Sequence, residues 1–155
     1  DKAKGCPDER LLRGMDPNID SLLVNLLYEK DAPIHYRLYA VDCLGHFNNK
    51  RSVQVLLSLL GDPTWDKMYR LRAMSSAAKA MGAEILEELR EACNDRDAET
   101  RAAAARAIGW INIPRARSFL QHLKVRERDP EVLQAITESL KRIPANPLRP
   151  PNTGI

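Results

Sequence analysis

The stretch ETRAAAARAIGWI, residues 99–111, decides the fold. Four alanines run from Ala102 to Ala105, inside a segment with no strand-like alternation. Alanine is the strongest helix former because it loses no side-chain entropy, yet it adds little apolar volume. Such a helix suits a position where other backbones approach closely on more than one side. The segment then stops on Gly109, where a helix C-cap belongs.

Setting this stretch above EVLQAITESLKRI, residues 131–143, aligns Glu99 with Glu131, Ala104 with Ile136, Ile108 with Leu140 and Ile111 with Ile143. The offset is about 32 residues, in the range of helical repeats. YRLYAVDCLGHF fits the same template, with Arg37 on Arg101, Ala40 on Ala104 and Leu44-Gly45 on Ile108-Gly109. MSSAAKAMG is a looser copy that places Ala77, Ala80, Met81 and Gly82 in the same columns. The matched columns recur with the spacing of one helical face.

A second apolar pattern precedes each copy: IDSLLVNLLYE, SVQVLLSLLG, EILEELREACN and RSFLQHLKV. Asp16-Pro17, Asp62-Pro63 and Asp129-Pro130 read as an Asp N-cap with proline at the first helical position. Gly45, Gly82 and Gly109 read as C-caps. The pattern predicts an all-α chain of four helix pairs. First helices fall near 17–29, 50–60, 84–94 and 114–124, and second helices near 33–46, 63–82, 97–110 and 130–142. PDERLLRG predicts a short extra helix. The expected organisation is an N-terminal segment over 1–16, a repeat domain over 17–143 and a Pro-rich extended tail over 144–155.

The residues in the turns and second helices carry a resemblance. An Asp in the turn, an Arg early in the second helix and an Ala-x-x-Ala-Leu-Gly ending appear as Asp31, Arg37, Ala40, Leu44 and Gly45. They appear again as Asp95, Arg101, Ala104, Ala107, Ile108 and Gly109. In these the chain resembles the HEAT-repeat family, in its short bacterial form related to phycobilisome lyase subunits, over residues 17–143. The resemblance implies a right-handed α-solenoid whose second helices line a concave face. It also implies that Asp31, Arg37, Asp95 and Arg101 form a structural ladder of ion pairs and hydrogen bonds. The chain departs from the pattern at Met74 and Leu133, in the Arg column, and at Lys141, in the Gly column. The last two changes suit a terminal repeat.

Composition limits the function. The 155 residues are enough for a core. Their formal net charge of +3 neither demands nor excludes nucleic acid. No apolar run has the length of a membrane span. Cys6, Cys43 and Cys93 lack metal-ligand spacing, and the odd count leaves at least one thiol outside any intrachain bond. Cys93, ending an apolar helical face, is expected to be buried and unreactive, and Cys6 accessible if it is not bonded. The start on Asp1 and the polar opening carrying Cys6 lean the reading toward an exported chain. His35, His46 and His122 lie in separate elements, and no phosphate loop, nucleophile elbow or Cys-x-x-Cys is present. No catalytic residue, metal site or cofactor is therefore assigned.

The expected function is protein binding, alone or as a subunit of a larger complex. The second-helix columns not used for packing supply the concave face: Tyr39, Asp42 and His46; Arg72, Ser75 and Lys79; Ala102, Arg106 and Trp110; Gln134, Glu138 and Arg142. Both charge signs occur there, which suits a protein partner better than a phosphate backbone. Arg106 and Trp110 are the expected anchors. A secondary patch, Trp65, Lys67, Tyr69 and Arg70 leading to Arg72, interleaves aromatics with cations and is the basis of an alternative, nucleic-acid binding. Asp62 and Asp66 beside it weigh against that alternative. An accessory lyase or chromophore chaperone is a further alternative that rests on the family resemblance alone.

Overall fold

The computed structural model describes residue 7 and residues 9–145. Among these residues there is no strand. The chain divides into two compact units, residues 1–81 and 82–155.

The first unit holds α1 (Glu9–Met15), α2 (Ile19–Tyr28), α3 (Ile34–Leu44), α4 (Lys50–Gly61) and α5 (Lys67–Met81). Helices α2 and α3 pack as a pair, α4 and α5 as another, and α3 lies against α5. Leu27, Leu44, Phe47, Leu56 and Leu59 are fully buried between them. The second unit opens with a 3-10 turn over Gly82–Ile85. It continues through α6 (Leu86–Ala92), α7 (Ala98–Ile108), α8 (Pro114–Arg126) and α9 (Pro130–Arg142). Here α6 pairs with α7 and α8 with α9, while α7 packs on α9. Ile85, Leu86, Leu89, Ile108, Ile111, Leu120 and Ile136 form its core. The described residues are thus all-α, and within each unit the helices pack in neighbouring pairs, as in a helical repeat.

The alanine run follows from this packing. Helix α7 touches α6, α8 and α9, so it has almost no free side. All four alanines are buried, Ala102 among them. Ala102 was expected on the open face; it is instead part of the core. Bulkier residues at these positions would hold the neighbouring helices apart.

Side-chain caps start α4, α7 and α9, from Asn49, Asp97 and Asp129, whereas α2, α3, α6 and α8 have none. Asp129 accepts hydrogen bonds from the backbone N–H groups of Glu131 (2.9 Å) and Val132 (3.2 Å), with Pro130 as the first helical residue. Asp97 caps α7 by accepting from Thr100 N–H at 2.9 Å. The other two Asp-Pro steps differ from expectation. Asp16 accepts from Asn18 N–H at 2.7 Å, and α2 begins only at Ile19. Asp62 closes a turn onto the Thr64 N–H (2.9 Å) and hydroxyl (2.7 Å), so α5 starts later, at Lys67, with Asp66 accepting from Met68 N–H. Aspartate readily makes such local turns in place of a helix cap.

The glycines also divide. Gly82, with φ +60°, has the left-handed backbone expected of a C-cap. Gly45 and Gly109 have φ of −63° and −60°, inside the right-handed helical region. Both are the C-cap residues of α3 and α7, as expected, and both also permit close approach. A Cβ on Gly45 would lie 2.8 Å from Ser76 Cα, and one on Gly109 would lie 2.5 Å from Ser139 Oγ. Each pair joins one second helix to the next, and Ser139 Oγ donates to the Ala105 carbonyl at 2.9 Å. The Pro-rich tail from residue 146 onward lies outside the described residues.

Candidate functional site

In the first unit, α3 and α5 bring several of the expected residues together. Tyr39 is exposed and Asp42 half-buried. Arg72 donates to Asp42 Oδ2 at 3.1 Å, an ion pair between neighbouring second helices. Burial pushes the Asp42 carboxyl above the usual carboxylate range, while Arg72, Lys79 and His46 act in the opposite direction. Asp42 is thus a partly desolvated acceptor among cationic and ionisable neighbours.

In the second unit, α7 and α9 do the same. Arg106 NH2 lies 3.3 Å from Glu131 Oε1. The guanidinium of Arg142 sits 4.1 Å from the centroid of the Trp110 ring, a cation–π contact. Trp110, just beyond the end of α7, is still 43 % exposed. Gln134 donates to Glu138 Oε1 at 3.0 Å, one turn apart on α9. Arg106 and Trp110 are therefore both tied to α9, which holds them in one arrangement. Glu131 is the member of this group that column spacing did not single out.

The secondary patch is partly taken up by packing. Tyr69 is only 4 % exposed. Trp65 is half-buried, with ring centroids 5.5 Å from Tyr28 and 5.2 Å from Tyr69. Arg37 covers the other ring contact, 5.2 Å from the Tyr69 centroid. Tyr69 is a packing residue with no open face for base stacking, and Trp65 has part of its ring taken up by Tyr28 and Tyr69. Lys67 and Arg70 are half-buried beside them.

The ladder arginines form links other than the expected aspartate pairs. Arg37 Nε donates to the Leu27 carbonyl at 2.8 Å, tying α3 to the end of α2. Arg101 NH1 donates to the carbonyls of Asp95 (3.0 Å) and Arg96 (3.1 Å). Its Nε and NH2 reach the two oxygens of Glu127 at 3.0 and 3.2 Å. Hydrogen bonding to Arg101 lowers the Glu127 carboxyl to about 2. The Asp95 carboxylate instead accepts from Asp97 N–H at 2.8 Å, and Asp31 stands exposed in its turn. A short-range Asp–Arg spacing hid the longer-range partner, Glu127. Arg117 repeats the carbonyl motif by donating to Leu140 and Ile143.

Cys93 is buried and free, and burial pushes its thiol up to about 12. Cys43 is buried and disulfide-bonded. Cys6 lies outside the described residues. Among the described residues no cluster of His, Cys, Asp and Glu has a metal-holding arrangement, and no helix is long and apolar enough to cross a membrane.

The family model for HEAT repeats matches residues 64–141, half of the chain. The protein belongs to the HEAT-repeat family. HEAT repeats commonly mediate protein–protein interaction, and the family is generally a non-catalytic scaffold type. No curated protein matches the sequence.

Proposed function

We propose that this HEAT-repeat protein is a non-enzymatic binding module for a protein partner, acting alone or within a larger assembly, through the exposed positions of its second helices. The observation that carries this reading is Trp110, which remains 43 % exposed while Arg142 stacks on it at 4.1 Å. A large aromatic held in place at a surface loses little freedom on binding. Trp and Arg are the side chains that most often dominate an interface. The Arg106–Glu131 pair adds both charge signs to the same two helices, and the first unit offers Tyr39 beside the Asp42–Arg72 pair. Mixed charge of this kind matches polypeptide better than a phosphate backbone, which favours a stripe of one sign.

Photo-crosslinking in extract of the source cell tests the proposal. A photoreactive phenylalanine replaces Trp110 or Tyr39, and for comparison Leu57 on α4. Trp110 and Tyr39, the exposed second-helix positions or ridge, are each expected to yield a discrete protein adduct that Leu57 does not yield. The same adducts from all three positions, or none from the ridge, would refute it.

A further inference from the structure

The first helices of the second unit enclose a separate site. Helices α6 and α8 border an open groove of about 780 Å³. One wall is a face of α6 carrying Glu87, Arg90 and Glu91, continued by Asn94 in the turn after the helix. The other is a stripe of α8 from Arg115 through Phe119 to Arg126. Three links span it. Arg115 NH2 meets Glu87 Oε1 at 2.7 Å, the Arg90 guanidinium lies 5.0 Å from the Phe119 ring centroid, and Arg126 NH2 donates to Asn94 Oδ1 at 2.8 Å.

Two carboxylates, Glu87 and Glu91, line the groove against three arginines, Arg90, Arg115 and Arg126, so positive charge is in excess by one. Glu87 serves both Arg90 and Arg115. Arg126 donates to a neutral amide. Arg90 Nε is buried and has no hydrogen-bond partner. The Arg90 side chain is still 36 % exposed and its NH1 donates to both Glu87 oxygens, so its outer edge, not the enclosed Nε, is what a ligand in the groove would meet. Phe119 and Leu123, also on the α8 wall, provide apolar surface between the cations.

We infer that this groove binds a short extended acidic peptide segment, independently of the second-helix ridge. Carboxylates of the segment would meet Arg126 and Arg90, and an apolar side chain between them would lie on Phe119. The wall from Glu87 to Asn94 is about 10 Å long at the helical rise, and an extended chain advances about 3.3 Å per residue. Three or four residues fill that length. Arginine suits the role because its planar fork engages carboxylates and still stacks on an aromatic ring.

The probe is a fluorescein-labelled hexapeptide of alternating glutamate and leucine, titrated into the full chain and followed by anisotropy. Amide chemical shifts map the contact. Binding with shifts on α6 and α8 is expected, together with no binding by the lysine–leucine peptide. Arg126→Glu should weaken binding by about tenfold or more, as expected for loss of a hydrogen bond to a charged group. Trp110→Ala should leave it unchanged, so failure here is distinguishable from failure of the ridge proposal. Equal binding by Arg126→Glu would overturn the inference, as would shifts confined to α7 and α9. So would a single-stranded oligouridine that shifts the groove resonances where the peptide does not. Phe119→Ala, if its melting curve shows it folded, should bind more weakly than the parent, and undiminished binding would contradict the apolar contact.

Discussion

Replacing Gly109 with alanine separates two reasons for a glycine at a helix end. The backbone φ of −60° already suits alanine. Through the unfolded chain alone the change would therefore stabilise by about 0.4–1 kcal/mol. The surroundings oppose it. The new Cβ would lie 2.5 Å from Ser139 Oγ, 2.7 Å from Ser139 Cβ and 3.0 Å from Arg142 NH1. Ser139 is buried and its hydroxyl is bonded to the Ala105 carbonyl, so it cannot rotate away without losing that bond. Overpacking costs about 1–3 kcal/mol, and a buried hydroxyl left without its acceptor costs a similar amount. Set against the entropic gain, the net loss is about 1–5 kcal/mol, centred near 3. Urea unfolding followed by far-ultraviolet circular dichroism measures it. Adding Ser139→Gly removes both nearest contacts and should recover part of the loss, a coupling read from the double-mutant cycle. Gly61→Ala, with nothing within 4 Å, should be neutral or slightly stabilising. Gly82→Ala should cost about 1–2 kcal/mol from its left-handed backbone alone. If Gly109→Ala is as stable as the parent, close approach of α7 and α9 is not what requires the glycine.

The remaining expectations concern single residues. Glu127 is lowered from its ordinary 4.5 to about 2, so the stability it contributes is complete above 4.5 and is lost as pH falls through about 2. Between about pH 6 and about pH 3 the parent should lose more urea stability than Glu127→Gln does, and equal losses would contradict the Arg101–Glu127 pairing. Cys93, with its thiol raised to about 12, should resist a thiol reagent at mildly alkaline pH in the native protein and react in urea. Rapid native labelling, located by mass spectrometry, would contradict its burial. Trp65→Ala should lower stability by about 1–3 kcal/mol through its lost contacts with Tyr28 and Tyr69, and leave partner binding intact in the folded variant. Loss of binding without loss of stability would return Trp65 to the surface set.

The repeat register was legible because alanine, glycine and apolar columns recur at one offset, and helix α9 matches its predicted bounds. The N-cap at Asp129 was legible because cap and proline are adjacent in sequence. What stayed hidden depended on neighbours distant in the chain. Gly109 has the same place in a C-cap and in a close approach, and only Ser139 on the next second helix distinguishes them. Arg101 stands six residues from Asp95, yet its carboxylate partner is Glu127. Tyr69 looked like a surface aromatic because cations surround it in sequence, but helical geometry turns it toward Trp65 and Arg37. The α6–α8 groove was not legible, because Glu87 and Arg90 on one helix and Arg115, Phe119 and Arg126 on another share no sequence spacing that ties them together.

The central claim is that the ridge around Trp110 holds a protein partner. The most direct measurement is a binding isotherm between the protein captured by crosslinking and the Arg106→Ala, Trp110→Ala double variant, alongside melting curves of parent and variant. The account predicts that the variant remains folded and that binding is abolished, because Trp110 and its arginine neighbours act as the shared anchor. A double variant that melts as the parent does and binds with the parent's affinity would contradict it.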